Sequence, residues 1–73
     1  SLSDKYLAAK VRIRLLADAG IKSSEIKIVC SKGTVYLMGI VNDTEQKLVS
    51  SVVRKTSGVK RVVTVFESKS VDA

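Results

Sequence analysis

Seventy-three residues, 45% apolar and 27% charged, are too apolar for a disordered chain and too few for a deep substrate cavity with its supporting shell. Thirteen Lys and Arg against seven Asp and Glu leave a net charge of +6, which favours anionic partners such as phospholipid headgroups or nucleic acid. No stretch approaches the about 20 apolar residues of a membrane span, and no signal peptide is visible. The chain opens on Ser1-Leu2-Ser3 rather than Met, so it is expected to be a piece of a longer protein whose targeting signal lies elsewhere.

Ser3-Asp4 offers an N-cap and a first-turn acid for a helix over 3–19, with Leu7, Val11 and Leu15 in one stripe and Ala8 beside them. Gly20 stands as its left-handed C′ residue, and Ile21 is expected to fold back onto Leu16. After the polar link Lys22-Ser23-Ser24, Ile26, Ile28 and Cys30 alternate with Lys27, Val29 and Ser31, which predicts a strand over 26–31. Ser31-Lys32-Gly33 reads as a tight hairpin turn, with Gly33 supplying a positive φ. A second strand over 34–41 sets Val35, Leu37, Gly39 and Val41 on one face. Gly39 offers no side chain there, which marks the close approach of another element.

Asn42 and Glu45 occupy the N-cap and N3 positions of a capping box. The helix they open is expected over 43–57, with Leu48, Val49, Val52, Val53 and Thr56 toward the core. Gly58 ends it, Val59 tucks under, a last strand covers 62–68, and 69–73 form a frayed tail. The order αββαβ predicts an α+β fold, a sandwich of two helices on one face of a three-stranded mixed sheet, in a single domain over 1–73.

Catalytic chemistry is missing from the residue list. Without His, neither a Ser–His nor a Cys–His pair nor a His-ligated metal is possible. One cysteine cannot build a thiolate cluster, and Cys30 runs in phase with Ile26 and Ile28 as a small buried hydrophobe. The acids are scattered over helix starts, a helix end and a strand entrance, with no pair for general acid–base work. Gly33 and Gly39 are not followed by a Lys-Ser/Thr opening a helix, so they make no phosphate loop. The chain therefore reads as non-catalytic, with no metal and no cofactor.

Two surfaces invite partners. On the outer side of the first helix, Tyr6, Lys10, Ile13, Arg14 and Ala17 cluster, with Ala9 at the edge. This is the layout of an interfacial helix, with a tyrosine at headgroup depth and cations for lipid phosphates. The alternative is a plain surface helix with two stray apolar residues. On the sheet face turned away from the helices, Val29, Tyr36, Met38, Ile40, Val63 and Val65 form an apolar patch suited to docking a protein. Its alternative is strand propensity alone. Arg54, Lys55, Lys60 and Arg61 gather about the end of the second helix, where its dipole accounts for them. Nucleic acid is disfavoured: Tyr36 is the lone aromatic on its sheet face, the chain begins with a helix, and there is no Gly-x-x-Gly loop.

Lys10-Val11, the Ile26/Ile28 strand, Gly33-x-Val35-x-Leu37-x-Gly39-x-Val41, Glu45 and Gly58-Val59-x-x-Val62 resemble the BON domain (bacterial OsmY and nodulation) over nearly the whole chain. Val35 to Val41 and Ser57 to Val62 are most similar to the second domain of dual-BON outer-membrane lipoproteins. The resemblance implies the αββαβ fold and a non-catalytic module that binds anionic phospholipid through its first helix. Carried onto this chain, it places Tyr6 where a membrane-facing aromatic is expected, followed by Lys10, Ile13 and Arg14; with Ala9 and Ala17 from the same side of the helix, these are the expected lipid-binding residues. It further implies a periplasmic, outer-membrane-associated parent that maintains the envelope barrier, with its lipid anchor and first BON domain outside this stretch. The alternative is a protein-interaction module whose outer sheet face docks a sister BON domain or an envelope protein.

Overall fold

The computed structural model describes residues 2–22 and 24–68, so the expected frayed tail over 69–73 lies outside the described residues. Its elements are α1 (Leu2–Ala19), β1 (Ile26–Ser31), β2 (Thr34–Val41), α2 (Asp43–Arg54) and β3 (Arg61–Ser68). The sheet order is β1-β2-β3, with β1 antiparallel and β3 parallel to the central β2. A parallel pair cannot be closed by a hairpin, and α2 is the crossover that joins β2 to β3. The register follows the apolar alternation: Val35 lies opposite Cys30 and Val62 on the inner face, while Tyr36 lies opposite Val29 and Val63 on the outer. Both helices lie on the inner face of this mixed sheet, and the fold is α+β. Val11 and Leu15 of α1, Val35, Leu37 and Val41 of β2, and Val49 and Val53 of α2 form its fully buried centre.

Three joints set the frame. The two-residue turn Lys32-Gly33 holds both residues at positive φ, 51° and 85°, as a type I′ hairpin demands. The left-handed conformation therefore extends to Lys32, beyond the expected glycine. Asp4 Oδ1 accepts from the Lys32 amide at 3.0 Å and ties this turn to α1. At Gly39, a Cβ would stand 2.9 Å from the backbone oxygen of Glu25, so the element that approaches is the entrance of the neighbouring strand. At α2, Asn42 Oδ1 accepts from Glu45 N at 2.8 Å and Glu45 Oε1 accepts from Asn42 N at 2.9 Å, completing the capping box.

Several expectations are corrected. α1 begins at Leu2, which places Ser3 within the first turn rather than at the N-cap. Gly20, at φ 66°, donates to Leu16 O and Ile21 donates to Leu15 O, both at 3.1 Å. Ile21 is thereby sunk into the core, yet Leu16 stays 58% exposed, so folding back does not cover it. α2 stops at Arg54, short of the expected 57, because Thr56 N turns to Val53 O and its buried Oγ1 donates to Val52 O. Gly58, at φ 95°, follows this irregular turn instead of capping the helix directly. Leu48 is 41% exposed: Val49, Val52, Val53 and Thr56 make the buried stripe, and Leu48 lies about a quarter turn from its centre. Finally, β3 starts at Arg61, since Gly33 O accepts from both Lys60 N and Arg61 N, at 2.8 and 3.3 Å.

Candidate functional site

α1 is apolar on two opposite sides. Its inner stripe, Leu7, Ala8, Val11 and Leu15, is buried. At about 100° per residue, Leu2, Tyr6, Ala9, Ile13 and Leu16 fall on the opposite side in alternating steps of four and three. Leu2 is 84% exposed, Tyr6 70% and Ile13 66%, and Ala9 and Ala17 are exposed beside them. The strip is thus longer than Tyr6 and Ile13 alone suggested. Leu2 escapes a reading that starts the helix at residue 3, and Leu16 one that assigns it to Ile21; the four-three spacing is the signal that finds both.

The cations divide into two edges. Lys5 and Arg12, exposed and absent from the sequence-based set, border one side of the strip. Lys10 and Arg14 border the other, but both are engaged within the chain. Lys10 is half-buried and its Nζ donates to Ser57 O at 2.9 Å and Ser57 Oγ at 3.0 Å, with the Tyr6 ring centroid 5.4 Å away. Arg14 Nε donates to Asp18 Oδ2 at 3.0 Å in an exposed i,i+4 pair. Lys10 therefore leans toward the loop after α2 rather than straight out to solvent.

On the outer sheet face the register aligns Val29, Tyr36 and Val63 in one row and Lys27, Met38 and Val65 in the next. Val65 and Ile40 are well exposed at 62% and 56%, and Val29 and Tyr36 less so. Met38 and Val63 are half-buried. Of the basic group expected about the end of α2, Arg54 Nε reaches back to Ser50 O at 3.3 Å. Lys60 instead turns toward the hairpin, its aliphatic stem lying over Gly33.

A family model described as the BON domain matches residues 3–69. The chain belongs to the BON family. It is 30% identical to "Outer membrane lipoprotein DolP" of Haemophilus influenzae over 88% of this chain and 33% of the relative. It is 27% identical to a "21 kDa hemolysin" of Actinobacillus pleuropneumoniae over 86% of this chain and 32% of the relative. A third match, 38% identical over 90% of this chain and 44% of the relative, is an uncharacterized protein of Anaplasma centrale. The BON domain thus spans a third to under a half of the curated relatives it matches.

In this BON domain Cys30 is a free, half-buried thiol packed against the core. Burial first, and then the Asp4 carboxylate, push it above the ordinary thiol range, with the Arg12 guanidinium opposing. That shift disfavours the thiolate a nucleophile needs. Among the described residues no group of three or more His, Cys, Asp or Glu is placed to hold a metal ion. No helix among them is long and apolar enough to cross a membrane.

Proposed function

We propose that this BON domain is the non-catalytic, anionic-phospholipid-binding module of a periplasmic outer-membrane lipoprotein that supports envelope integrity. The observation that carries the proposal is the exposed strip of Leu2, Tyr6, Ile13 and Leu16 on α1, bordered by basic residues on both edges. Such a helix lies in the interface plane, with its apolar side at the acyl boundary and its cations at the phosphates. Each cation near an anionic surface adds about 1 kcal/mol. The same strip has the spacing of a coiled-coil seam, but like charges on both flanks would repel across a pair of these helices. The outer-membrane lipoprotein among its relatives supports the location.

The test is a titration of the chain with phosphatidylglycerol and phosphatidylcholine micelles, following backbone amides. Shifts that include Tyr6–Ala17 and require the anionic lipid are expected. Shifts that avoid Tyr6–Ala17, or equal shifts with the neutral lipid, overturn the reading. Ile13→Asp should weaken anionic-vesicle binding by about tenfold to a hundredfold, the equivalent of one lost buried aliphatic side chain.

A second reading rests on the outer sheet face, whose exposed Val29, Ile40 and Val65 form a patch across all three strands. It is proposed to dock another domain of the same protein, since the curated relatives are two to three times longer than the matched stretch. Met38→Glu should abolish that pairing in the full-length protein and leave the lipid response intact. Unchanged domain pairing in cross-linking or scattering would remove this reading.

A further inference from the structure

We infer that the cleft between the start of α1, the β1–β2 turn and the loop after α2 seats a phosphate-bearing anion, the headgroup phosphate of a lipid whose acyl chains meet the outer strip of α1. The inference deepens the membrane reading and rests on it for the source of the phosphate.

Three lysines from three separate segments, Lys10 of α1, Lys32 of the hairpin turn and Lys60 of the loop entering β3, all line the cleft. Asp4 is the one carboxylate among the lining residues, so positive charge is in excess. Like charges gathered at one opening repel each other, and a bound anion relieves that repulsion. The cleft has a volume of about 370 Å³, at the lower end of the about 300–1,000 Å³ of small-molecule sites. A phosphodiester with a small polar headgroup is the kind of ligand it can take.

The segments that carry the lysines are held. Asp4 accepts from the Lys32 amide, and Gly33 O accepts from the Lys60 amide at 2.8 Å, which locks the turn and the loop together. Ser57 steadies Lys10 with two oxygens. Gly58, at φ 95°, lines the cleft in a left-handed conformation that favours glycine. The side chains of Lys32 and Lys60 make no hydrogen bond or ion pair among the described residues, so their charges are available.

Tyr6 supplies the link to the membrane. It lines the cleft and also belongs to the exposed strip, with Lys10 Nζ 5.4 Å from its ring centroid. A lipid lying along α1 can therefore place its phosphate among the lysines while its chains run toward Ile13. One edge of the strip becomes a specific seat, and the Lys5/Arg12 edge only a basic border.

The experiment compares two charge-matched double variants of the 73-residue chain, K32Q/K60Q and K5Q/R12Q, on phosphatidylglycerol vesicles. Thermal melts first establish that both retain the fold. K5Q/R12Q should weaken vesicle binding by no more than about thirtyfold, which is what two cations of a basic border supply, and K32Q/K60Q by well over that. Equal losses in the two variants would overturn the seat and leave the interfacial helix standing. Unchanged binding in Ile13→Asp would overturn the membrane reading itself. In a parallel arm, sn-glycerol 3-phosphate should shift the amides of Lys32, Gly33 and Lys60 and compete with vesicles. If it shifts them while vesicles leave them unmoved, the lipid source is overturned in favour of a soluble phosphate compound.

Discussion

α1 and α2 lie on the same face of the sheet, yet they treat solvent differently. α2 turns Val49, Val52 and Val53 inward and leaves Leu48 as its one exposed large apolar residue among those described. α1 turns Leu7, Val11 and Leu15 inward and still exposes Leu2, Tyr6, Ile13 and Leu16. One stripe is all that packing on the sheet requires of a helix. A single exposed leucine is ordinary for a protein surface, whereas a strip running the length of a helix marks an interaction site. α2 is therefore explained by the fold alone, and α1 is not.

The comparison is broken most directly by two adjacent leucines of α1. Leu15 is 2% exposed and Leu16 58%. Leu15→Ala removes a well-packed core side chain and should cost about 2–5 kcal/mol in urea denaturation. Leu16→Ala should change stability by less than about 0.5 kcal/mol while weakening vesicle binding. Comparable losses of stability would mean that both sides of α1 serve folding, and the outer strip would lose its claim to a ligand.

Much of this contrast can be read before folding is considered. Alternation places Val35, Leu37 and Val41 inward, and Asn42 with Glu45 announces the start of α2, because both signals depend on near neighbours. The misread residues depend on distant ones. Lys10 looks solvent-facing on a helical wheel, but its Nζ is drawn to Ser57, 47 residues away. Lys60 looks like a helix-end cation until parallel pairing of β2 and β3 brings it over Gly33. The cleft forms only when the hairpin turn, the loop after α2 and the first turns of α1 meet, so no local pattern encodes it. Leu48 fails for another reason: apolar identity counted for more than its angle from the stripe.

The capping box of α2 gives the smaller and sharper test. Asn42 Oδ1 satisfies the Glu45 amide, and the Glu45 side chain accepts from the Asn42 backbone amide, so removing the Asn side chain orphans the Glu45 amide and leaves only the return bond. Asn42→Ala should cost about 1 kcal/mol in urea denaturation, and Asn42→Asp, which keeps an acceptor at the N-cap, should recover most of it. α2 is the crossover that fixes β3 against β2, so the loss is expected in global stability. Under conditions where the variant remains folded, its affinity for phosphatidylglycerol vesicles should equal that of the unmodified chain, because none of the proposed lipid contacts lies on α2. A cap variant that lost lipid affinity while still folded would show that α2 orders the binding surface. α1 could then no longer be separated from the rest of the domain as the helix that carries the site.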